Sequence, residues 1–218
     1  MSLYAIGDIH GCAKTLESLI AEIAPTAEDH LVFIGDYVDR GPDSKGVIDV
    51  LVDLPSRCRC TFLRGNHEEM MLNFLDHNEL ELWHINGGDA TLASYTTGGR
   101  VEIPDDHVEF IRDTVSYHDE PDFFFVHAGL KPHLTILENL AQYSSEIFLW
   151  ERSHLAAAEH VWEKPVVCGH TPQREPINSE KLICIDTGCV YVSYPGYGML
   201  TAVRLPEREM IKVPYGEE

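Results

Sequence analysis

Three times within the first 75 residues, a short apolar run ends in a polar, glycine-bearing loop and is followed by a segment with helical spacing. Leu3-Tyr4-Ala5-Ile6 enters Gly7-Asp8-Ile9-His10-Gly11, and Leu16, Leu19, Ile20 and Ile23 then recur at helical intervals until Pro25. Leu31-Val32-Phe33-Ile34 enters Gly35-Asp36-Tyr37-Val38-Asp39-Arg40-Gly41. A helix N-capped by Ser44 is expected next, through Val47, Ile48, Leu51 and Leu54, closing before Pro55. Cys60-Thr61-Phe62-Leu63 enters Arg64-Gly65-Asn66-His67-Glu68, with a helix expected over 69–75. Apolar runs of this length bounded by glycine read as buried strands. Their alternation with helices predicts an α/β fold with parallel strands. Right-handed crossovers bring all three polar loops to one edge of the sheet, where ligands of open α/β sheets bind.

Beyond this point the alternation weakens but the strand-to-polar-loop rule persists. Phe123-Phe124-Phe125-Val126 enters His127-Ala128-Gly129, and Val166-Val167-Cys168 enters Gly169-His170-Thr171. Between them, residues 84–100 carry Asn86-Gly87-Gly88 and Gly98-Gly99, which predicts one short helix between glycine turns. The stretch from Trp83 to Tyr95 lines a groove or packs, and 107–115 reads as a further helix. The runs 182–185, 200–205 and 211–213 are expected to form a β-rich tail closing a second sheet. No linker, repeat or low-complexity segment divides residues 1–218, so one domain is expected.

Composition narrows the function classes. Hydrophobic residues make up 44% of the chain, enough for a substantial core. A net charge of −20 argues against a nucleic-acid backbone as partner, because such binding runs on clustered Lys and Arg. Much of that acidity is expected on solvated surface, as in Glu79-Leu80-Glu81 and Glu217-Glu218. No apolar run approaches the ~20 residues of a membrane span, so no membrane partner is expected. Met1-Ser2-Leu3-Tyr4 shows no basic region or cleavage site, so no signal peptide is expected. None of the six cysteines forms a CxxC pair, which predicts reduced thiols and a cytoplasmic setting. Cys58-x-Cys60 reads as alternation at a strand start, and Cys12 and Cys189 as packing.

The five strand ends offer Asp8 and His10, Asp36, Asn66, His127, and His170 in turn. Asp36 lies 28 residues after Asp8 and His170 lies 43 after His127, far from the compact spacing of a zinc finger. A site assembled at strand ends requires such separations. Mixed Asp, His and Asn donors suit borderline-hard divalent ions. Six such residues exceed what one ion with an open water position can use. Two ions sharing a carboxylate fit better, with Asp36 the central candidate for the bridge.

Gly7-Asp8-Ile9-His10-Gly11, the 35–41 loop, Gly65-Asn66-His67-Glu68, His127-Ala128-Gly129 and Gly169-His170-Thr171 together resemble the motif series of the phosphoprotein phosphatase family. That family belongs to the calcineurin-like metallophosphoesterases. Asp186-Thr187-Gly188-Cys189 adds a likeness to its small bacterial and phage serine/threonine phosphatases. The resemblance implies a β-sandwich of two mixed sheets flanked by helices. It implies that Asp8, His10 and Asp36 hold one metal and that Asp36, Asn66, His127 and His170 hold another. The ions would be manganese, with iron or zinc as alternatives. His67 would be the general acid, with Asp39 orienting its ring, while Arg40, Arg152 and Asn66 meet the phosphate. The implied reaction is in-line attack on phosphorus by a hydroxide held between the ions, and the implied partner is a phosphoprotein or phosphopeptide. Oligomeric state is not implied.

Three other readings compete. A dinucleoside tetraphosphate hydrolase of the same superfamily typically carries a non-acidic residue at Asp39 and Asp at Glu68; this chain has the protein-phosphatase residue at both. A nuclease or phosphodiesterase fits poorly with the net charge of −20. A non-catalytic interaction module would be expected to lose ligands, and all six are present. The eight histidines outside the motifs (His30, His77, His84, His107, His118, His133, His154, His160) are expected on the surface or at caps. Arg64 is expected to be a surface charge.

Overall fold

The computed structural model describes residues 2–217; Met1 and Glu218, the limits of the expected domain, lie outside the described residues. Three strand–helix units open the chain: β1 (Leu3–Ile6) with α1 (Ala13–Ile23), β2 (His30–Phe33) with α2 (Ser44–Asp53), and β3 (Arg59–Phe62) with α3 (Asn66–His77). α1 buries Leu16, Leu19, Ile20 and Ile23 on one face, as their spacing requires. Its first turn is capped from the far end of the sequence. Glu217 accepts the backbone N–H groups of Lys14 at 3.2 Å and Thr15 at 2.8 Å. Such amides have no partner within a helix, and a carboxylate suits the positive end of the helix dipole. Glu217 is therefore a cap rather than the solvated residue expected.

Two helix starts differ from the sequence reading. Asp43, not Ser44, caps α2, accepting from the Gly46 N–H at 2.8 Å. The Ser44 hydroxyl is engaged elsewhere, accepting from the Asp39 N–H at 3.0 Å. α3 begins at Asn66 rather than Glu69, so Asn66 and His67 lie in its first turn. Polar first-turn residues carry no apolar periodicity, but Glu68 reaches back to the Gly65 N–H at 2.9 Å in the manner of a capping box.

The middle segment holds α4 (Leu80–Ile85), α5 (Gly88–Ser94), the hairpin of β4 (Thr96–Thr97) and β5 (Arg100–Val101), and α6 (Asp105–Arg112). The short helix expected between glycine turns over 84–100 is α5, with Gly87 before it and Gly98-Gly99 after it; α4 and the hairpin flank it. The break between α4 and α5 falls at Gly87, whose φ of 101° is open to glycine and strained for other residues.

The remaining elements are β6 (Tyr117–Asp119), β7 (Phe124–Val126), α7 (Ile136–Gln142), α8 (Ser145–Trp150), β8 (Val166–Cys168), β9 (Ile177–Asn178), β10 (Leu182–Cys184), β11 (Met199–Leu205) and β12 (Glu209–Pro214). Two five-stranded mixed sheets result, ordered β12-β11-β1-β2-β3 and β6-β7-β8-β10-β9. The C-terminal strands do not all close the second sheet as expected. β10 joins it, but β11 pairs antiparallel with β1, placing Ala5 opposite Val203, and β12 extends the first sheet. An apolar run says that a strand is buried, not which sheet buries it.

Side-chain alternation divides the core into three layers. Tyr4, Ile6, Leu31 and Phe33 face α1, α2 and α3 on the outer side of the first sheet. Ala5, Val32 and Ile34 face Phe125, Val167 and Ile183 between the sheets. Phe124, Val126, Val166 and Cys168 pack outward against residues of α7 and α8. A strand with both faces covered must be apolar throughout, as these are. Each fully buried Leu, Ile, Val or Phe contributes about 1.5–3 kcal/mol, and this packing fixes the strand ends in space.

Among the described residues, no helix is long and apolar enough to cross a membrane. All six thiols are free, and Cys12 and Cys189 are buried in the first core layer. His30, His107 and His154 are buried, contrary to the expectation of surface or capping roles. His107 shows why: it sits between the Tyr95 hydroxyl at 2.8 Å and Asp49 at 3.1 Å, partners that local sequence does not reveal.

Candidate active site

The carboxyl ends of β1, β2, β3, β7 and β8 converge from both sheets and bring Asp8, His10, Asp36, Asn66, His127 and His170 together, all buried. The loops are tied to one another through the backbone. Asp36 O accepts from Ile9 N and His10 N, and Tyr37 O accepts from Gly11 N at 2.8 Å. Glu68 adds a second tie, its carboxylate accepting from the N–H groups of Asp36, Tyr37, Val38 and Gly65. His10, Asp36, Asp39, Arg40 and His170 all have positive φ. Non-glycine residues reach that region at a cost of order 1–3 kcal/mol, and persist there only where their surroundings hold them.

Asp36 is central. Its Oδ2 lies 3.5 Å from His10 Nε2, and its Oδ1 lies 3.4 Å from His127 Nε2. Each carboxylate oxygen thus faces a different cluster: His10 and His67 on one side, His127 and His170 on the other. Asn66 Oδ1 completes the second, 3.0 Å from His127 Nε2 and 2.9 Å from His170 Nδ1. The ring orientations are fixed from behind, with His10 Nδ1 donating to Val38 O at 3.0 Å and His127 Nδ1 to Ile34 O at 2.8 Å. That leaves both Nε2 lone pairs aimed at Asp36. Asp8 accepts from the His170 N–H at 2.9 Å.

The electrostatics suit a cation. Burial pushes the Asp8 carboxyl well up, and the charges of Asp186 and Asp36 push it further. Burial also raises Asp36, but in acid the charge of the protonated imidazoles around it outweighs burial and holds that carboxyl well below the usual range. Burial drives His10 and His127 down, and takes His170 to about 3, so these rings stay neutral with lone pairs available. Buried carboxylates among neutral imidazoles form a donor set that divalent metal would satisfy.

His67 is held differently, its Nε2 standing 3.9 Å from Asp36 Oδ2. Its Nδ1 donates to Asp39 Oδ2 at 2.6 Å, while its buried Nε2 has no hydrogen-bond partner among the described residues. Asp39 is gripped in turn. Trp83 Nε1 lies 2.9 Å from both carboxylate oxygens, and the Thr91 hydroxyl donates to Oδ1 at 2.7 Å. The stretch left open between groove and packing therefore does something more specific: Trp83 and Thr91 fix Asp39.

Two guanidiniums flank the clusters. Arg40 Nη1 lies 2.7 Å from His10 Nε2, with its Cζ over the Tyr191 ring, 5.6 Å from the centroid. Arg152, exposed, places Nη2 2.8 Å from His170 Nε2. They meet histidines that belong to opposite sides of Asp36. Arg64 is committed elsewhere, bonding Thr114 Oγ1 at 3.0 Å and Arg112 O at 2.8 Å.

A sequence profile described as calcineurin-like phosphoesterase matches residues 1–194. The chain belongs to this family. Calcineurin-like phosphoesterases are hydrolases with a dinuclear metal site, and the donor set around Asp36 fits one. The chain is 26% identical to a bis(5'-nucleosyl)-tetraphosphatase PrpE (asymmetrical) of Halalkalibacterium halodurans, over 98% of this chain and 94% of that protein. It is 27% identical to serine/threonine-protein phosphatase 1 of Salmonella typhimurium, over 93% of this chain and 91% of that one. A crystal structure provisionally named a diadenosine tetraphosphatase superposes with a TM-score of 0.73 at 26% identity, covering 100% of this chain and 95% of the other. A cold-active protein-tyrosine phosphatase of a Shewanella species shares the fold, with a TM-score of 0.68 at 20% identity over 98% of this chain and 78% of its own.

Several side chains of this calcineurin-like phosphoesterase take no place in the site from sequence alone: Ser44 reads there as a helix cap, Trp83 as groove lining or packing, and Glu68 and Asp186 only as parts of family motifs. Trp83, Thr91, Ser44 and Tyr191 touch Asp39 or Arg40 from distant or separate segments. Asp186 is buried, accepts from Gly188 N at 2.9 Å and is pushed up to about 7 by burial. For Glu68 a signal existed: its place three residues into a helix start is that of a capping-box acid.

Proposed function

We propose that this calcineurin-like phosphoesterase is a serine/threonine protein phosphatase acting on phosphomonoesters of alcohols. The observation that carries the reading is the buried His67–Asp39 pair, 2.6 Å apart, with Nε2 free. A serine or threonine alkoxide leaves poorly unless protonated, and Nε2 is the atom from which His67 delivers that proton. Asp39 holds the ring in register, and Trp83 and Thr91 hold Asp39. Arg40 and Arg152 bind the phosphate oxygens, a task for which the planar guanidinium fork is suited. Asp8, His10 and Asp36 would hold one ion, and Asp36, Asn66, His127 and His170 would hold the other. Bound divalent metal, manganese in this proposal, supplies Lewis acidity and an activated water. The six free thiols support a reducing, cytoplasmic setting.

A second reading has its own support. Relatives named bis(5'-nucleosyl)-tetraphosphatase span 98% of the chain, so a dinucleoside tetraphosphate is the rival substrate. Phosphoanhydride cleavage expels a phosphate anion, which departs without a proton. Measuring kcat/KM for phosphoserine and phosphothreonine peptides beside diadenosine tetraphosphate, with matched Mn²⁺, separates the two. A preference for the peptides supports the phosphatase reading, and a preference for the dinucleotide overturns it.

A further inference from the structure

Far from Asp36, three metal-competent side chains from the two sheets meet. His30 opens β2 in the first sheet, His118 lies in β6 of the second, and Glu120 follows shortly after it. His30 Nδ1 is 3.5 Å from Glu120 Oε1, and His118 Nε2 is 2.8 Å from the same oxygen. One ligand atom from each lies within 4.8 Å of the other two. A tetrahedral site with bonds of ~2.0–2.1 Å spaces its donors ~3.3 Å apart, which lies between those two separations. The imidazoles meet edge to face, with ring centroids 5.2 Å apart.

We propose that His30, His118 and Glu120 form a zinc site, separate from the dinuclear centre, that cross-links the two sheets. Two imidazoles and one carboxylate are a zinc donor set, with water completing the fourth position. His30 is prepared for the role. Its Nε2 lies 2.9 Å from Thr61 Oγ1, and donation to that hydroxyl leaves the Nδ1 lone pair facing Glu120. Burial lowers its pKa to about 4, with the nearby Arg59 and His118 charges adding to the effect, so the ring stays neutral near pH 7.

The neighbouring cations leave the position accessible. Arg59 approaches Glu120 Oε1 at 4.0 Å, but its side chain is 65% exposed and free to swing into solvent. Lys164 donates to the Glu120 carbonyl at 2.5 Å and pairs with Asp119, not with the Glu120 carboxylate. The Glu120 side chain is 24% exposed and lines a surface cavity of ≈ 190 Å³ with Leu3, Phe123 and Leu205, so this ligand is reachable from solvent. His30 and Asp36 are six residues apart along a near-extended strand and its exit, roughly 20 Å at ~3.3 Å per residue. The two sites are therefore independent, and this proposal does not rest on the substrate reading.

The test compares wild-type protein with His118→Asn and Glu120→Gln, each loaded with Zn²⁺, freed of excess and subjected to elemental analysis and thermal unfolding. The expected result is one zinc fewer per chain in both variants, with turnover unchanged. Wild-type Tm should rise by roughly 5–10 °C with zinc at 100-fold over Kd, a response both variants lose. Two variants guard against one misfolding. Equal zinc content and equal Tm response in all three proteins would overturn the site, leaving a hydrogen-bonded His118–Glu120 pair.

Discussion

Asp39 holds His67 at 2.6 Å through one carboxylate oxygen while both of its oxygens are held by Trp83 and Thr91. An orienting carboxylate that is itself fixed gives the imidazole a single orientation. Thr91→Val removes the hydrogen bond to the Asp39 carboxylate, worth about 1.5–3 kcal/mol, together with the hydroxyl's contacts to the Asp39 N–H and the Ser44 hydroxyl. It should lower kcat on phosphothreonine peptides by about 10–100-fold while leaving KM nearly unchanged, since neither Arg40 nor Arg152, the arginines proposed to bind phosphate, is touched. Asp39→Asn should be more damaging to the monoester reaction, narrowing its lead over diadenosine tetraphosphate. A rise in KM without loss of kcat would assign both residues to binding instead.

Asp36 offers one oxygen to each cluster, so a single substitution should disturb both ions. Asp36→Asn is expected to lose both metals on elemental analysis, with nearly all activity. Two ions retained at full occupancy would mean that Asp36 does not bridge.

His154 lies in the 3₁₀ turn Ser153–Ala156 that follows Arg152. It is 1% exposed, close to Gly129, with its Nδ1 lacking a partner among the described residues. Burial lowers its pKa from 6.5 to about 4. Between those values the unfolded chain takes up a proton that the folded ring refuses, so stability is full above pH 6.5 and falls as pH drops towards 4. The slope from one such group approaches about 1.4 kcal/mol per pH unit. Urea unfolding of His154→Leu across this window should show a shallower acid decline than wild type. Parallel declines would exclude His154 as a contributor.

Much of this architecture was legible because each functional loop follows its own strand directly. Asp8, His10, Asp36, Asn66, His127 and His170 all sit at the exits of apolar runs, and parallel topology brings such exits together. What escaped the sequence was partnership across distance. Trp83 and Thr91 reach Asp39 over 44 and 52 residues, with no spacing rule to announce them. Glu217 caps α1 across 202 residues. The pairing of β11 with β1 was hidden for the same reason, since burial on both faces looks alike in either sheet. The boundaries of α2 and α3 were misplaced because Ser44, Asn66 and His67 serve the site and contribute nothing to helical periodicity.

The central claim is that His67 protonates an alcohol as it leaves, and leaving-group dependence tests it most directly. Wild type and His67→Asn, shown to hold equal metal, should be compared on a phosphoserine peptide and on p-nitrophenyl phosphate. The variant should lose roughly 10²–10⁴-fold in turnover on the peptide, the usual contribution of a positioned acid. Its loss on p-nitrophenyl phosphate should be far smaller, because nitrophenolate departs without a proton. Equal losses on the two substrates would contradict the assignment.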